Sequence, residues 1–264
     1  MLELCLGVAT LRLVMPNRAE AAAAWPDGAR AAVSLTYDDG LNSQLENVIP
    51  ELDRRGLKAT FFLTEENMQD RLADWEAAAR GGHEIADHTM THPCDMRSVT
   101  AAGLQARELA PMEAFLDANF GGGRLRSFAY PCGYLGLGTG GRNARYGRYQ
   151  RLVRDDFRAA RTTAGGPNSI AQVRRDRFHL HGFEPTYDAD VVAPAARYLR
   201  HTLAMGGWAI LVFHEVLPAR RQEGDTSIAV HARILDLVQS ERLWCAAMGS
   251  VLTRLDARRT LARS

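Results

Sequence analysis

Apolar residues fall along the chain in two alternating patterns. Short runs rich in β-branched, aromatic and small apolar residues occur at 31–37, 59–64, 83–87, 126–130, 159–163, 208–213 and 243–248. Between them, at 45–52, 72–79, 104–116, 191–203 and 228–238, apolar residues recur at spacings of three and four. That is the signature of helices with one buried face. Strands alternating with helices predict parallel βαβ units rather than a sandwich. Seven such strands fit a TIM-like (β/α) barrel, whole or incomplete, with a doubly wound open sheet as the alternative. Glycine-rich stretches at 121–123 and 136–141 read as loops. The second lies in a long connection after a strand, at 134–149, where substrate contacts are expected.

The pattern starts after the turn signal Pro26, Asp27, Gly28. Residues 25–264 therefore read as one α/β domain, preceded by a segment over 1–24. That segment is apolar over 2–15 except for Glu3 and Arg12, and Ala21 to Ala24 supply small residues suited to cleavage. It lacks the basic start and unbroken apolar stretch of a secretory leader. The two readings are a leader, which would place the protein outside the cytoplasm, and a plain extension. No stretch is long enough to cross a bilayer.

Composition adds exclusions. The chain is 46% hydrophobic and 24% charged, which is globular. A net charge of +1 gives no bulk attraction to nucleic acid or an anionic membrane. The basic residues are arginines apart from Lys58, and they are scattered. Four cysteines (Cys5, Cys94, Cys132, Cys245) are too few for a disulfide scaffold at this length.

The chemically loaded residues sit at the ends of the proposed strands. Thr36, Tyr37, Asp38, Asp39 and Gly40 end the first. Adjacent carboxylates after a buried strand repel, and need a metal or a cation to offset them; a solvated turn is the bland alternative. His88 and His92 follow the third strand, four residues apart, a spacing that puts two imidazoles on one face of a helical turn. With Asp39 they form a two-histidine, one-carboxylate set of the kind that holds catalytic zinc with a position open. Phe128, Ala129, Tyr130, Pro131, Cys132 and Gly133 end the fourth strand, and Phe213, His214 and Glu215 the sixth. In a parallel barrel, that end carries the active site.

Together these segments resemble the polysaccharide deacetylase (NodB-like) family over roughly residue 25 to the end. TYDDG at 36–40 is similar to its first motif, and GHEIADHTMTHP at 82–93 resembles its second closely. The resemblance implies a distorted (β/α) barrel of seven strands and a metal-dependent deacetylase acting on N- or O-acetylated carbohydrate. It implies Asp39, His88 and His92 as ligands of Zn2+ (Co2+ or Ni2+ substituting), Asp38 as general base and His214 as general acid. The backbone N–H of Cys132 would meet the oxyanion, with Tyr130 and Tyr134 nearby on the substrate side. Ala129 stands where the family often has an arginine, and Arg161, at the end of the fifth strand, is the expected replacement. A carboxylate partner for His214 has no motif here; Asp176 is the stand-in.

Other residues admit more than one reading. Cys94 and Cys132, both on the expected rim, could be a disulfide, free thiols, or in Cys94's case a competing metal ligand. His179 and His181 alternate and read as polar lining rather than a second metal pair. His83 reads as structural, and His201 and His231 have no assigned role. Trp75, Tyr134, Phe183 and Trp208 are candidates to stack on sugar rings, or core. A cyclic imide or ureide amidohydrolase and an inactive carbohydrate-binding relative are the competing functions. The intact Asp38–Asp39 pair disfavours the first, and the complete ligand, base and acid set the second.

Overall fold

Buried strands carry side chains alternately to two faces, and here each face has its own core. In the computed structural model, which describes residues 24–123, 125–185 and 191–261, the strands are β1 (Ala31–Asp39), β2 (Thr60–Leu63), β3 (Glu84–Asp87), β4 (Ser127–Ala129), β5 (Ala159–Arg161), β6 (Trp208–Phe213), β7 (Val216–Leu217), β8 (Thr226–Ser227) and β9 (Leu243–Cys245). The main sheet is parallel, in the order β5-β4-β3-β2-β1-β6. β9 pairs with the start of β1, Ala31 opposite Leu243, and β2 with its end, Thr36 opposite Thr60. β7 and β8 pair separately. The seven strands expected from the sequence are all present.

Helices of six residues or more are α1 (Ile49–Arg54), α2 (Leu72–Arg80), α3 (Ala110–Phe120), α4 (Arg142–Asp156), α5 (Ile170–Arg175), α6 (Val192–Met205), α7 (Ile228–Ser240) and α8 (Met248–Leu261). Val33, Leu35, Tyr37, Phe61 and Leu211 face outward and pack with Leu52, Trp75, Leu199 and Ile234 of the covering helices. Ala32, Phe62, Ala86, Ala129, Ala159 and Ile210 face inward with Trp208 and Leu180. Small residues on most inner positions leave room for the Trp208 and Phe62 rings, and burial of each such ring contributes roughly 1.5–3 kcal/mol. No helix among the described residues is long and apolar enough to cross a membrane.

Among the described residues the sheet closes without an eighth strand. Its free edges, β5 and β6, are joined by the segment running through Leu180 and Phe183. Leu180 bridges Arg161 and Phe183 bridges Leu211, both in parallel sense. The backbone follows suit: Leu180 N donates to Ala160 O (3.0 Å), Thr162 N to Leu180 O (2.9 Å) and Phe183 N to Ile210 O (2.8 Å). Buried Asn168 holds this segment by accepting from His181 N and donating to His181 O, 2.9 Å each. The result is a distorted, TIM-like barrel whose seam is irregular backbone.

Two expectations change. Residues 134–149 are not one long loop, since α4 begins at Arg142. Trp75 and Trp208 are fully buried core, and Phe183 is half-buried, packed against the core and stacked on Tyr198 at 4.4 Å. Residues 1–23, which carry the leader reading, lie outside the described residues.

Candidate active site

Asp38 and Asp39 sit where β1 leaves the sheet. Asp38 has the inward parity of Ala32, Ser34 and Thr36, and is 1% exposed inside the barrel mouth. Strand alternation would send Asp39 to the opposite face. Instead Asp39 adopts φ +77°, and the turn brings its carboxylate back to the same mouth. Its carbonyl is held by Thr64 Oγ1 (3.1 Å) and Asn67 Nδ2 (3.0 Å). Gln44 donates to the carbonyls of both Asp38 and His214, tying β1 to β6 below the site.

His88 and His92 stand on irregular backbone rather than the helical turn their spacing suggested. Thr89 and His92 both have positive φ, +70° and +52°. Side chains fix this path: Asp87 Oδ1 accepts from Thr89 N (2.7 Å), and Thr89 Oγ1 from His92 N (3.1 Å). The imidazoles end up 4.6 Å apart between centroids. His88 Nε2 lies 3.6 Å, and His92 Nε2 3.7 Å, from the same oxygen, Asp39 Oδ1. One atom from each of the three falls within 4.8 Å of the others.

The protonation of His88 suits a metal. His88 Nδ1 is 2.8 Å from the Ala129 carbonyl, so that nitrogen carries the hydrogen and the Nε2 lone pair points at the cluster. Burial pushes the His88 pKa down to about 4 against the pull of Asp38 and Asp39, leaving the ring neutral. Asp38 Oδ2, buried 3.7 Å from His88 Nε2, has no hydrogen-bond partner among the described residues.

Arg161 ends β5 on the inner face, fully buried, with its guanidinium on Asp38 Oδ1 and over the Phe62 ring at 4.5 Å. Burial alone would raise the Asp38 pKa; Arg161, with His88 and His214 behind it, outweighs burial and holds the carboxyl anionic. His214 follows β6, its Nε2 4.0 Å from Asp38 Oδ2 and its Nδ1 3.0 Å from Glu184 Oε1. Burial would lower its pKa, but Glu184, then Asp38 and Asp39, prevail and lift it to about 9.

Glu184 is the residue that sequence reasoning missed. Asp176 does not serve His214: it pairs with Arg154 at 2.7 Å and accepts from Phe178 N. Glu184 directly follows the closing residue Phe183, so it too lies at the carboxyl end of a pairing segment. The alternation around His179 and His181 was the available signal.

The remaining candidates divide. Cys132 lies in the turn after β4 with φ +54°, and its sulfur is bridged to Cys94. Tyr130 turns its ring into the core, its hydroxyl donating to Phe178 O at 3.0 Å. Tyr134 stands half-buried in the loop beyond Cys132, its hydroxyl accepting from Arg145 at 2.6 Å. His83 is structural, bonded to Ala59 N and Asp53, and buried His231 bonds Tyr37 Oη at 2.8 Å.

Residues 26–153 match the family model described as polysaccharide deacetylase. A bifunctional xylanase/deacetylase of Pseudobutyrivibrio xylanivorans is 28% identical over 156 residues, 58% of this chain and 25% of its own. A chitooligosaccharide deacetylase of Sinorhizobium fredii is 36% identical over 86 residues, 31% of this chain and 40% of its own. With a gellan lyase of a Bacillus species included, the chain spans 5% to 40% of the length of these curated relatives. Among solved structures, a family 4 carbohydrate esterase from Streptomyces lividans in complex with acetate superposes with TM-score 0.56 at 19% identity, over 83% of this chain and 93% of that one. A pseudoenzyme of the same esterase family from Bacillus anthracis superposes with TM-score 0.52 at 18% identity, over 84% and 65%. At these identities the two structures speak for the fold alone.

Proposed function

Starting from a chain whose residues 26–153 belong to the polysaccharide deacetylase family, we propose that it is a metal-dependent hydrolase removing acetyl groups from a carbohydrate. One observation carries the reading: a neutral, tautomer-fixed His88, His92 and Asp39 converge on one point beside a buried, anionic Asp38. Two imidazoles and a carboxylate suit Zn2+, with Co2+ or Ni2+ able to substitute. When bound, the metal supplies Lewis-acid charge for the acetyl carbonyl and the attacking water.

The chain's own groups account for the proton movements. Asp38 takes a proton from the water on Oδ2, the oxygen that Arg161 does not hold. Arg161 keeps that carboxylate charged and aimed. The Cys132 N–H donates to the oxyanion as the carbonyl becomes tetrahedral. His214 protonates the leaving amine or alcohol from Nε2, and Glu184 on Nδ1 keeps it protonated at neutral pH. Tyr134, on the rim past Cys132, contacts the sugar.

The test is acetate release by zinc-loaded protein from chitopentaose, peptidoglycan fragments, acetylxylan and a cyclic imide control. Release from an acetylated member, falling about 10²–10⁴-fold in Asp38→Asn, supports the reading and names the substrate class. No release from any acetylated member with one equivalent of metal bound rejects it.

A further inference from the structure

His92 presents a different chemistry on each edge of its ring. Its Nε2 faces Asp39 at 3.7 Å, and its Nδ1 faces Cys94 Sγ at 3.8 Å. Cys94 is bridged to Cys132, and both cysteines are exposed to solvent. A His92 ring nitrogen, Cys94 Sγ and Cys132 Sγ lie within 4.8 Å of one another, a second three-residue donor set sharing His92 with the first. The bridge also ties the loop bearing His88 and His92 to the turn bearing the Cys132 N–H.

We propose that the Cys94–Cys132 bridge is a redox gate, and that opening it creates a second metal position, His92–Cys94–Cys132, which competes with Asp39–His88–His92 for zinc. This rests on the reading of the latter set as the metal site. While the bridge is closed its sulfurs are not thiolate ligands, and His92 serves the first set through Nε2. A dithiol reductant opens the bridge: it supplies two electrons and two protons, leaving two cysteine thiols and its own disulfide. Metal entry then releases one proton from each thiol to solvent and forms two metal–sulfur bonds. Two thiolates and one imidazole are a softer, stronger set for zinc than two imidazoles and a carboxylate. Metal on Nδ1 leaves Nε2 carrying the ring hydrogen, which removes it as a ligand of the first set. Reduction therefore withdraws the metal from Asp38 and frees the Cys132 turn in one event. Cys245, the other described cysteine, lies on β9 beside the start of β1, away from the mouth.

Co2+ is the probe, titrated into the full chain in its disulfide form and after phosphine reduction with the reagent removed. The reduced protein is expected to develop a thiolate-to-cobalt charge-transfer band that saturates at one equivalent. That band should be absent from the disulfide form and from reduced Cys94→Ser. A Asp39→Ala/His88→Ala variant, when reduced, should keep it. Reduced wild type that binds one equivalent of cobalt without the band overturns the proposal, as does loss of the band in the double variant. Failure of the underlying reading looks different: the disulfide form would then bind no cobalt. At limiting zinc, reduction should lower acetate release by about tenfold or more, the scale on which a disturbed ligand shell weakens a zinc site, in wild type but not in Cys94→Ser.

Discussion

The same strands carry a polar cluster at each end, and the two clusters are built to opposite rules. At the amino end, Glu84 accepts from Thr60 Oγ1, Ser127 Oγ and Gly249 N at 2.8 Å each, while Thr60 Oγ1 accepts from Met248 N at 2.9 Å. The carboxylate's contacts are used up in joining three strands to the start of α8. At the carboxyl end, Asp38, His88 and Arg161 are buried more deeply than half-buried Glu84, yet Asp38 Oδ2 and Arg161 Nε and Nη1 have no hydrogen-bond partner among the described residues. Asp39, Thr89, His92 and Cys132, four of the five non-glycine residues with positive φ among the described residues, cluster there as well. Buried polar atoms without partners and left-handed backbone each cost stability, and they persist where function requires them. One end holds the barrel together, and the other leaves buried donors and acceptors unpaired, as the proposed active site requires.

Substitutions at the two ends should separate these roles. The largest effect is expected from Arg161→Met, which leaves a buried carboxylate without its cation. Turnover should fall roughly 10²-fold or more and stability by about 3–5 kcal/mol, read by initial rates and urea denaturation. Near-wild-type turnover would remove Arg161 from the machinery. Glu84→Ala at the amino end leaves the Gly249 N–H and the Thr60 and Ser127 hydroxyls without their acceptor. It should cost about 1–3 kcal/mol in the same denaturation experiment, with kcat unchanged. A comparable fall in kcat would erase the distinction between the ends.

The smallest effect at pH 7, and the most specific, is expected from Glu184→Gln. His214 is lifted to about 9, so the protonated acid, and activity with it, should persist below that pH and fall as pH rises through it. Without the Glu184 charge, the alkaline limb of kcat should move to lower pH. A limb that stays in place would mean another group sets it. The raised pKa also acts on stability: its contribution is full below the ordinary histidine value of about 6.5 and is lost as pH rises through about 9.

How legible the molecule was in its sequence differs by region. The seven strands were readable because most of them are buried on both faces, which leaves dense apolar runs. α4 was missed because its arginines at 142, 145, 148, 151 and 154 thin the apolar signal, and chiefly Tyr149 and Val153 anchor it. The backbone of His88 to His92 was misread as helical because four-residue spacing also fits a loop turned by two positive φ angles. Asp176 stood in as the partner of His214 because the alternation at His179 and His181 points only indirectly to the segment that ends at Glu184.

By itself the sequence determined the strand–helix alternation and the donor types at each strand end, since periodicity and residue chemistry are local properties. Only the tertiary structure decided that an irregular segment at Leu180 and Phe183 closes the barrel, that Arg161 lies against Asp38 across 123 positions of chain, and that Glu184 faces His214. It alone joined Cys94 to Cys132. These pairings follow from which strands are neighbours and where each one ends. Both are set by the packing of the whole barrel, which no local stretch of sequence encodes.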